Sequence, residues 1–365
     1  PISPLTVTAV KTVRYYGDPN PDFSVEYNGL KNNETVQTCD VTGSPIFSTE
    51  ANELSVIGTY EITVDAGDVS SQNYSLSFAN STLDVERAIL RVKPDDITLT
   101  YGDTIPDLTF RIEGYKNGEE TMTDIIAGYP VISTEAIDGS DAGIYDIVLS
   151  EGDLAASNYA FDLKKGIITI NKANLQVVAN NMSRTYGDPN PIFTYGISGF
   201  VLGQNDATSD VTGSPILVTT ANELSPVGNY DINMTEGDLS SNNYQFTLSN
   251  ASLAVNKATL SVTANDKLRI YGDPNPAFDV TFNGFKNSED LATSGVTGSP
   301  DFNSNASITS SVGTYRITPV LGTLLSGNYQ FNFVNGKLYI GKSVLTMRAD
   351  TMRRDFGNSN PVFTY

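Results

Sequence analysis

The chain has 365 residues and carries 42 Asp and Glu against 22 Lys and Arg, a formal net charge of −20 spread along its whole length. That balance disfavours nucleic acid and anionic membrane surfaces as partners, because both require clustered Lys and Arg. With no histidine and a single cysteine, Cys39, the chain can build neither a Ser/His/Asp nor a Cys/His nor a zinc constellation, and no internal disulfide.

Taken in order, the chain repeats itself. YGDPNP at Tyr16 returns at Tyr186 and Tyr271, with the variants YGDTIP at Tyr101 and FGNSNP at Phe356, each start 85 residues after the previous one. A repeat of that size lies near the small end of independently folding units. The expected organisation is therefore four units, at 1–89, 90–174, 175–259 and 260–344, followed by the start of a truncated fifth at 345–365. The chain opens on PISPL and stops inside a motif at NPVFTY. It is read as a piece of a longer polypeptide whose export signal lies elsewhere, with no segment of its own that inserts into a membrane.

Within one unit the pattern is strand and turn. In the third, LQVVA from Leu175 alternates, IFTYGISGF follows the proline turn, and GNYDINM and NYQFTLSNASLAVN alternate again. Period-two alternation over short runs divided by Gly, Pro, Asn and Asp predicts five or six short strands per unit. NGEETMTDII in the second unit and NSEDLATSG in the fourth do not alternate and place acids behind an Asn or Ser, which predicts one short helix. The expected fold class is mainly β: a tandem array of small domains, β-grasp-like or sandwich, with one short helix each.

The tyrosine-glycine motif predicts a stiff corner. Glycine admits positive φ, Asp18, Asp103, Asp188 and Asp273 can accept from amides two residues on, and proline fixes φ. Phe23, Leu108, Phe193, Phe278 and Phe363 stand seven residues after each motif opens. With the motif tyrosines they are expected to plug one end of a small core. Gly58, Gly143, Gly228 and Gly313, each two residues before a tyrosine, mark a second turn. Asn73/Tyr74, Asn158/Tyr159, Asn243/Tyr244 and Asn328/Tyr329 form a third anchor, the amide satisfying a loop backbone and the ring packing beneath it.

YGDPNPxF, the VTGSP at Val41 to Pro45, Val211 to Pro215 and Val296 to Pro300, the VGxY turn at Val227 to Tyr230, and NKAxL at Asn171 and Asn256 together resemble the MBG repeat of the YGX type. That family occurs in tandem in large bacterial surface and secreted proteins. The resemblance covers the whole chain and implies an extracellular array at the bacterial cell surface. It brings no catalytic, cofactor-binding or metal-binding residues, and none is expected.

Apolar parity slips at each boundary: Leu253 and Val255 are odd, Ala258, Leu260 and Val262 even, and Leu83 and Val85 are followed by Ala88, Leu90 and Val92. Because facing flips with every strand residue, neighbouring strands across a boundary are expected to serve different cores, without a flexible linker. Side chains near these positions offer two chemistries. Asp65/Asp68, Glu151/Asp153 and Glu236/Asp238 offer the hard oxygens that calcium takes, but the fourth unit has Leu321 and Thr323 there, and ordinary acidic turns are the expectation. Lys172, Lys257 and Lys342 could form isopeptide bonds to Asn, but Arg87 holds that place in the first unit. Paired carboxylates are the remaining catalytic equipment, and their variation between units argues against an enzyme. The expected function is a stalk or spacer of a giant surface adhesin or filament, whose partners are its own neighbouring repeats. The alternative is a set of weak glycan- or protein-binding modules acting by avidity.

Overall fold

A computed structural model describes residues 2–120 and 125–365. Among these residues lie thirty strands. None of the described helix is long and apolar enough to cross a membrane. In the first unit the strands are β1 (Ser3–Ala9), β2 (Thr12–Tyr15), β3 (Val25–Asn28), β4 (Ile46–Ser48), β5 (Gly58–Asp65), β6 (Tyr74–Ala79) and β7 (Ser81–Glu86). They form two sheets, ordered β3-β1-β6 and β2-β7-β5-β4. The other units follow the same plan. The second adds a short pair, Ile126–Ala127 with Ala155–Ala156, where the rest have single bridges such as Thr42 to Ser70.

β1 and β2 are one long strand with a bend at Val10 and Lys11, and β6 and β7 are another with a bend at Asn80. Each crosses from one sheet to the other at its bend. That crossing explains a parity change inside the unit: Leu5, Val7 and Ala9 are buried in β1 but Arg14 in β2, and Leu83 and Val85 follow Tyr74. Asn80 holds its bend by accepting the Val64 N–H through Oδ1 at 3.2 Å, and Asn250 does the same for Met234 at 2.8 Å. The two sheets face each other over one core. Ala9, Val25 and Phe78 of the first pack with Phe47, Ile62, Val64 and Leu83 of the second. Of the two expected forms, this is the sandwich.

The expected short helix is corrected. In the fourth unit the stretch is a single turn, Ser294 N–H to Asp290 C=O at 2.9 Å, capped by Asp290 Oδ1 accepting from Ala292 and Thr293. The acid does the capping, and no second turn follows because Gly295, Thr297 and Gly298 lead directly into the next bridge. The equivalent stretch of the second unit, residues 117–126, includes 121–124, which lie outside the described residues. Residues 345–365 contain no strand, but Asp350 N–H to Thr364 C=O repeats a bond that each preceding unit makes, such as Val10 to Ser24.

Candidate functional site: the joint between units

A single residue, Arg87, Lys172 or Lys257, separates the last strand of one unit from the first strand of the next. At the joint between the third and fourth units the Tyr186 ring is buried edge-on against Tyr329 of the following unit, centroids 5.6 Å apart and planes at 83°. Both hydroxyls donate to one carboxylate, Tyr186 to Glu289 Oε1 and Tyr329 to Glu289 Oε2, the latter at 2.6 Å. The Tyr329 oxygen in turn accepts the Lys286 N–H at 2.8 Å. Two phenols therefore share one acceptor across a boundary, fixing both rings with no polar atom left over.

The first joint repeats this arrangement with Tyr16, Tyr159 and Glu119, ring centroids 5.4 Å apart. The second substitutes Gln204 for the acid. Its amide donates to the Tyr101 hydroxyl at 3.0 Å and its carbonyl accepts from Tyr244 at 2.7 Å, so the same bridge is built without charge. Burial, and next the Glu119 and Glu289 carboxylates beside them, push the Tyr159 and Tyr329 phenols well above the usual range. Tyr244, without a carboxylate partner, is raised chiefly by burial.

The glycine of the motif is required by closeness as much as by φ. Gly187 sits at φ +82°, and a Cβ there would lie 2.3 Å from Lys286 Cβ of the next unit. Gly17 meets Lys116 at the same 2.3 Å, and Gly102 meets Val201 at 2.6 Å. Gly272 of the fourth unit has nothing within 4 Å. Burial follows the same division: Tyr16, Tyr101 and Tyr186 are 6%, 4% and 4% exposed, Tyr271 49%. The core that these tyrosines plug is therefore shared between two units. Tyr16 and Tyr186 pack with the next unit's residues, while Phe23, against Phe47 at 5.9 Å, plugs the unit's own core.

The motif aspartate also points forward. Asp18 pairs with Lys116 and Asp188 with Lys286, each at 2.8 Å, and only Asp103, opposite Val201, turns back to accept the Thr100 N–H. The expected bond to an amide two residues on is not made. Both ion pairs are about two-fifths exposed, so each is worth roughly 0–1 kcal/mol and contributes more to register than to stability.

The third anchor acts across the joint as well. Asn158, Asn243 and Asn328 each accept, through Oδ1, a backbone N–H of the preceding unit: Ile57 at 3.3 Å, Ala142 at 2.8 Å and Val227 at 3.1 Å. The connector cations close the other side, with Lys172 donating to the Ser241 carbonyl at 2.7 Å, Lys257 to Ser326 at 2.8 Å and Arg87 to Ser157 at 3.3 Å. A carbonyl accepts equally from ammonium or guanidinium, which explains why Arg replaces Lys in the first unit. At the joint apolar residues are shared as well. Val255 packs in one cluster with Ala258, Leu260 and Tyr329, so the expectation of separate cores holds for Leu253 and fails for Val255.

The calcium candidates are turn fasteners. Asp68, Asp153 and Asp238 accept the N–H of Ser44, Tyr129 and Ser214 at 2.6, 2.7 and 2.7 Å, and Thr323 accepts that of Ser299 with its hydroxyl at 3.0 Å. A hydroxyl can replace a carboxylate only where an acceptor, and not a charge, is needed. Among the described residues no group of three or more His, Cys, Asp or Glu is arranged to hold a metal ion.

Three buried arginines carry no local signal in the sequence. Arg14, Arg184 and Arg269 are buried and tie the proline corner to the opposite loop, Arg184 through Nε to Asn190 Oδ1 at 2.8 Å and through its Nη atoms to the Thr185 and Asn222 carbonyls. The second unit has Leu99 and Ile105 in place of Arg and Asn, and both pack on its core. The paired replacement was visible in the repeat but had no meaning until the two positions were seen to touch.

Among curated protein sequences none matches this chain. Of solved structures, it is similar to the three N-terminal domains of the bacteriophage RB49 highly immunogenic outer capsid protein, at 13% identity, covering 70% of this chain and 100% of that one, with a TM-score of 0.23. It is similar also to Drosophila N-cadherin EC1-3, at 11% identity over 69% of this chain and 99% of that one, with a TM-score of 0.21. Four tandem matches, over residues 5–84, 90–169, 175–254 and 260–339, show that the chain belongs to the MBG domain (YGX type) family.

Proposed function

We propose that this segment is a spacer: part of the stalk of a bacterial cell-surface adhesin or filament, outside the cell, that carries a distal tip away from the surface for adhesion or surface motility. The observation that carries the reading is the repeated joint. Three boundaries use the same tyrosine pair, the same asparagine clasp and a one-residue connector. Among the described residues the inter-unit hydrogen bonds join consecutive units, the pattern of a quasi-one-dimensional array. A spacer needs reach and solubility, and the dispersed charge of −20 supplies the second through repulsion.

In this role the segment needs no catalytic activity, cofactor or nucleic-acid partner. Its partners are its own neighbouring units, and the tip ligand belongs to another part of the protein. Its carboxylates act as turn caps and joint acceptors. Small-angle scattering tests the proposal. A compact globule of 365 residues has a radius of gyration of about 21 Å, whereas four beads of roughly 35 Å in line give about 40 Å. A value below about 28 Å overturns the spacer, because an array folded back on itself provides no reach.

A further inference from the structure

The first and last strands of every unit run parallel along each other from end to end. In the first unit Ser3 to Thr8 partner Tyr74 to Ala79, and beyond the bends Thr12 to Tyr15 partner Leu83 to Glu86. The separation is 71 residues throughout, as it is at Thr6 and Ser77, and it recurs in the other units, from Ala258 with Tyr329 to Ile270 with Gly341 in the fourth. The ladder is also bridged where it changes sheet. At the bend of the first strand Asp96, Asn181 and Asp266 each accept, through Oδ1, the N–H of the residue 71 further on: Ile167 at 2.9 Å, Ser252 at 2.9 Å and Lys337 at 2.7 Å. The first unit has Lys11 at that place and ties the strands by an ion pair to Asp84 at 2.7 Å.

Chain direction sets how this ladder meets tension. The chain enters at the start of the first strand and leaves at the end of the last. In a parallel pair those points lie at opposite ends, so a pull on the chain slides the two strands past each other and loads every rung together. Antiparallel neighbours such as β5 and β7, pulled apart at adjacent ends, would break rung by rung. The one-residue connector passes tension from one ladder to the next with no slack: Glu86 closes the first ladder by accepting the Tyr16 N–H, and Ala88 opens the second by donating to Asn158.

We infer that each unit is a force-bearing clamp in which the first and last strands resist tension along the chain as one shear-loaded ladder. Its biological meaning rests on the spacer reading, but its mechanics do not. The sheet switch strengthens the clamp, because sliding must break one half of the ladder in each sheet and pull core residues of both, Leu260 and Val262 with Leu338 and Ile340, out of their packing.

Single-molecule force spectroscopy on the whole chain tests this. Pulled through its termini, the chain should give four rupture events, each releasing close to 85 residues, roughly 300 Å of extended chain less the folded span. In a Cys39→Ser background, handles at Thr259→Cys and Gln330→Cys, which face each other across one rung, grip the fourth ladder at one end and peel it. Because forced unfolding is governed by the unfolding barrier along the pulled direction, peeling should require less than about half the force of terminal pulling at the same loading rate. Asp266→Ala should lower one of the four terminal rupture forces and leave the peeling force unchanged. Equal forces in the two directions overturn the clamp, as does an Asp266→Ala chain whose four ruptures match the parent. The spacer fails separately, on scattering: an extended but isotropic chain defeats only the clamp, and a compact but anisotropic one only the spacer.

Discussion

Gly187→Ala and Gly272→Ala form a matched pair that isolates the joint. Both glycines open the same motif with φ of +82° and +97°, so an added Cβ pays about 1–2 kcal/mol of left-handed strain at either position. They differ in what surrounds them. At Gly187 the new carbon lies 2.7 Å from Lys286 Cγ and 2.3 Å from Lys286 Cβ, which cannot swing aside because it is fixed to the backbone, whereas at Gly272 it meets nothing within 4 Å. Relief at Gly187 requires the fourth unit to move, and overpacking of this kind costs about 1–3 kcal/mol more. Because four units melt in one chain, a single unfolding free energy is ill-defined, and hydrogen exchange at the Val227 amide, held across the joint by Asn328 at 3.1 Å, is the suitable assay. An additional 1–3 kcal/mol corresponds to exchange about 5–150 times faster in Gly187→Ala than in Gly272→Ala. Equal exchange at Val227 in the two variants would refute the reasoning, since backbone strain alone would then account for the glycine.

Asn328→Ala leaves the Val227 N–H without its acceptor and should cost about 1–3 kcal/mol by melting of the fourth unit, whereas Asn73→Ala, which removes no such bond, should cost much less. Tyr159 and Tyr329, held above the ordinary phenol range by burial and their Glu partners, contribute stability that is complete below the unfolded tyrosine value near about pH 10 and is lost as pH rises through the higher folded value. Tyrosinate absorbance should therefore show a late-titrating class that disappears in urea. Arg184→Leu alone strands the acceptors of Asn190, Thr185 and Asn222, while Arg184→Leu with Asn190→Ile recreates the Leu99/Ile105 pair of the second unit; a double-mutant cycle in denaturant should recover at least about 1 kcal/mol of coupling. Cys39→Ser should leave the melting temperature essentially unchanged, within about half a kcal/mol, since Ser209 and Ser294 at the equivalent positions accept the Val211 and Val296 N–H groups with their hydroxyls.

The repeat, the strand grammar and the family were legible in the residues because they are local or periodic. Alternation reports which face of a strand is buried, Gly and Pro report turns, and a spacing of 85 residues needs only the chain compared with itself. The stretch before Val296 misled because an acid in a first turn looks the same whether or not a second turn follows, and only the bridge at Thr297 ended it. The joint was beyond local reading for a different reason. Tyr186 and Glu289 are 103 residues apart, Asp188 and Lys286 98, and Asn328 and Val227 101, so each motif carried half of a contact whose other half stood in the next copy. Turn chemistry explained Gly187 and Asp188 well enough alone to conceal that partner. Which residues close the core of a unit and which fasten it to the next depends on where two sheets bend and on one residue of connector, and that geometry exists only once the long strands are paired.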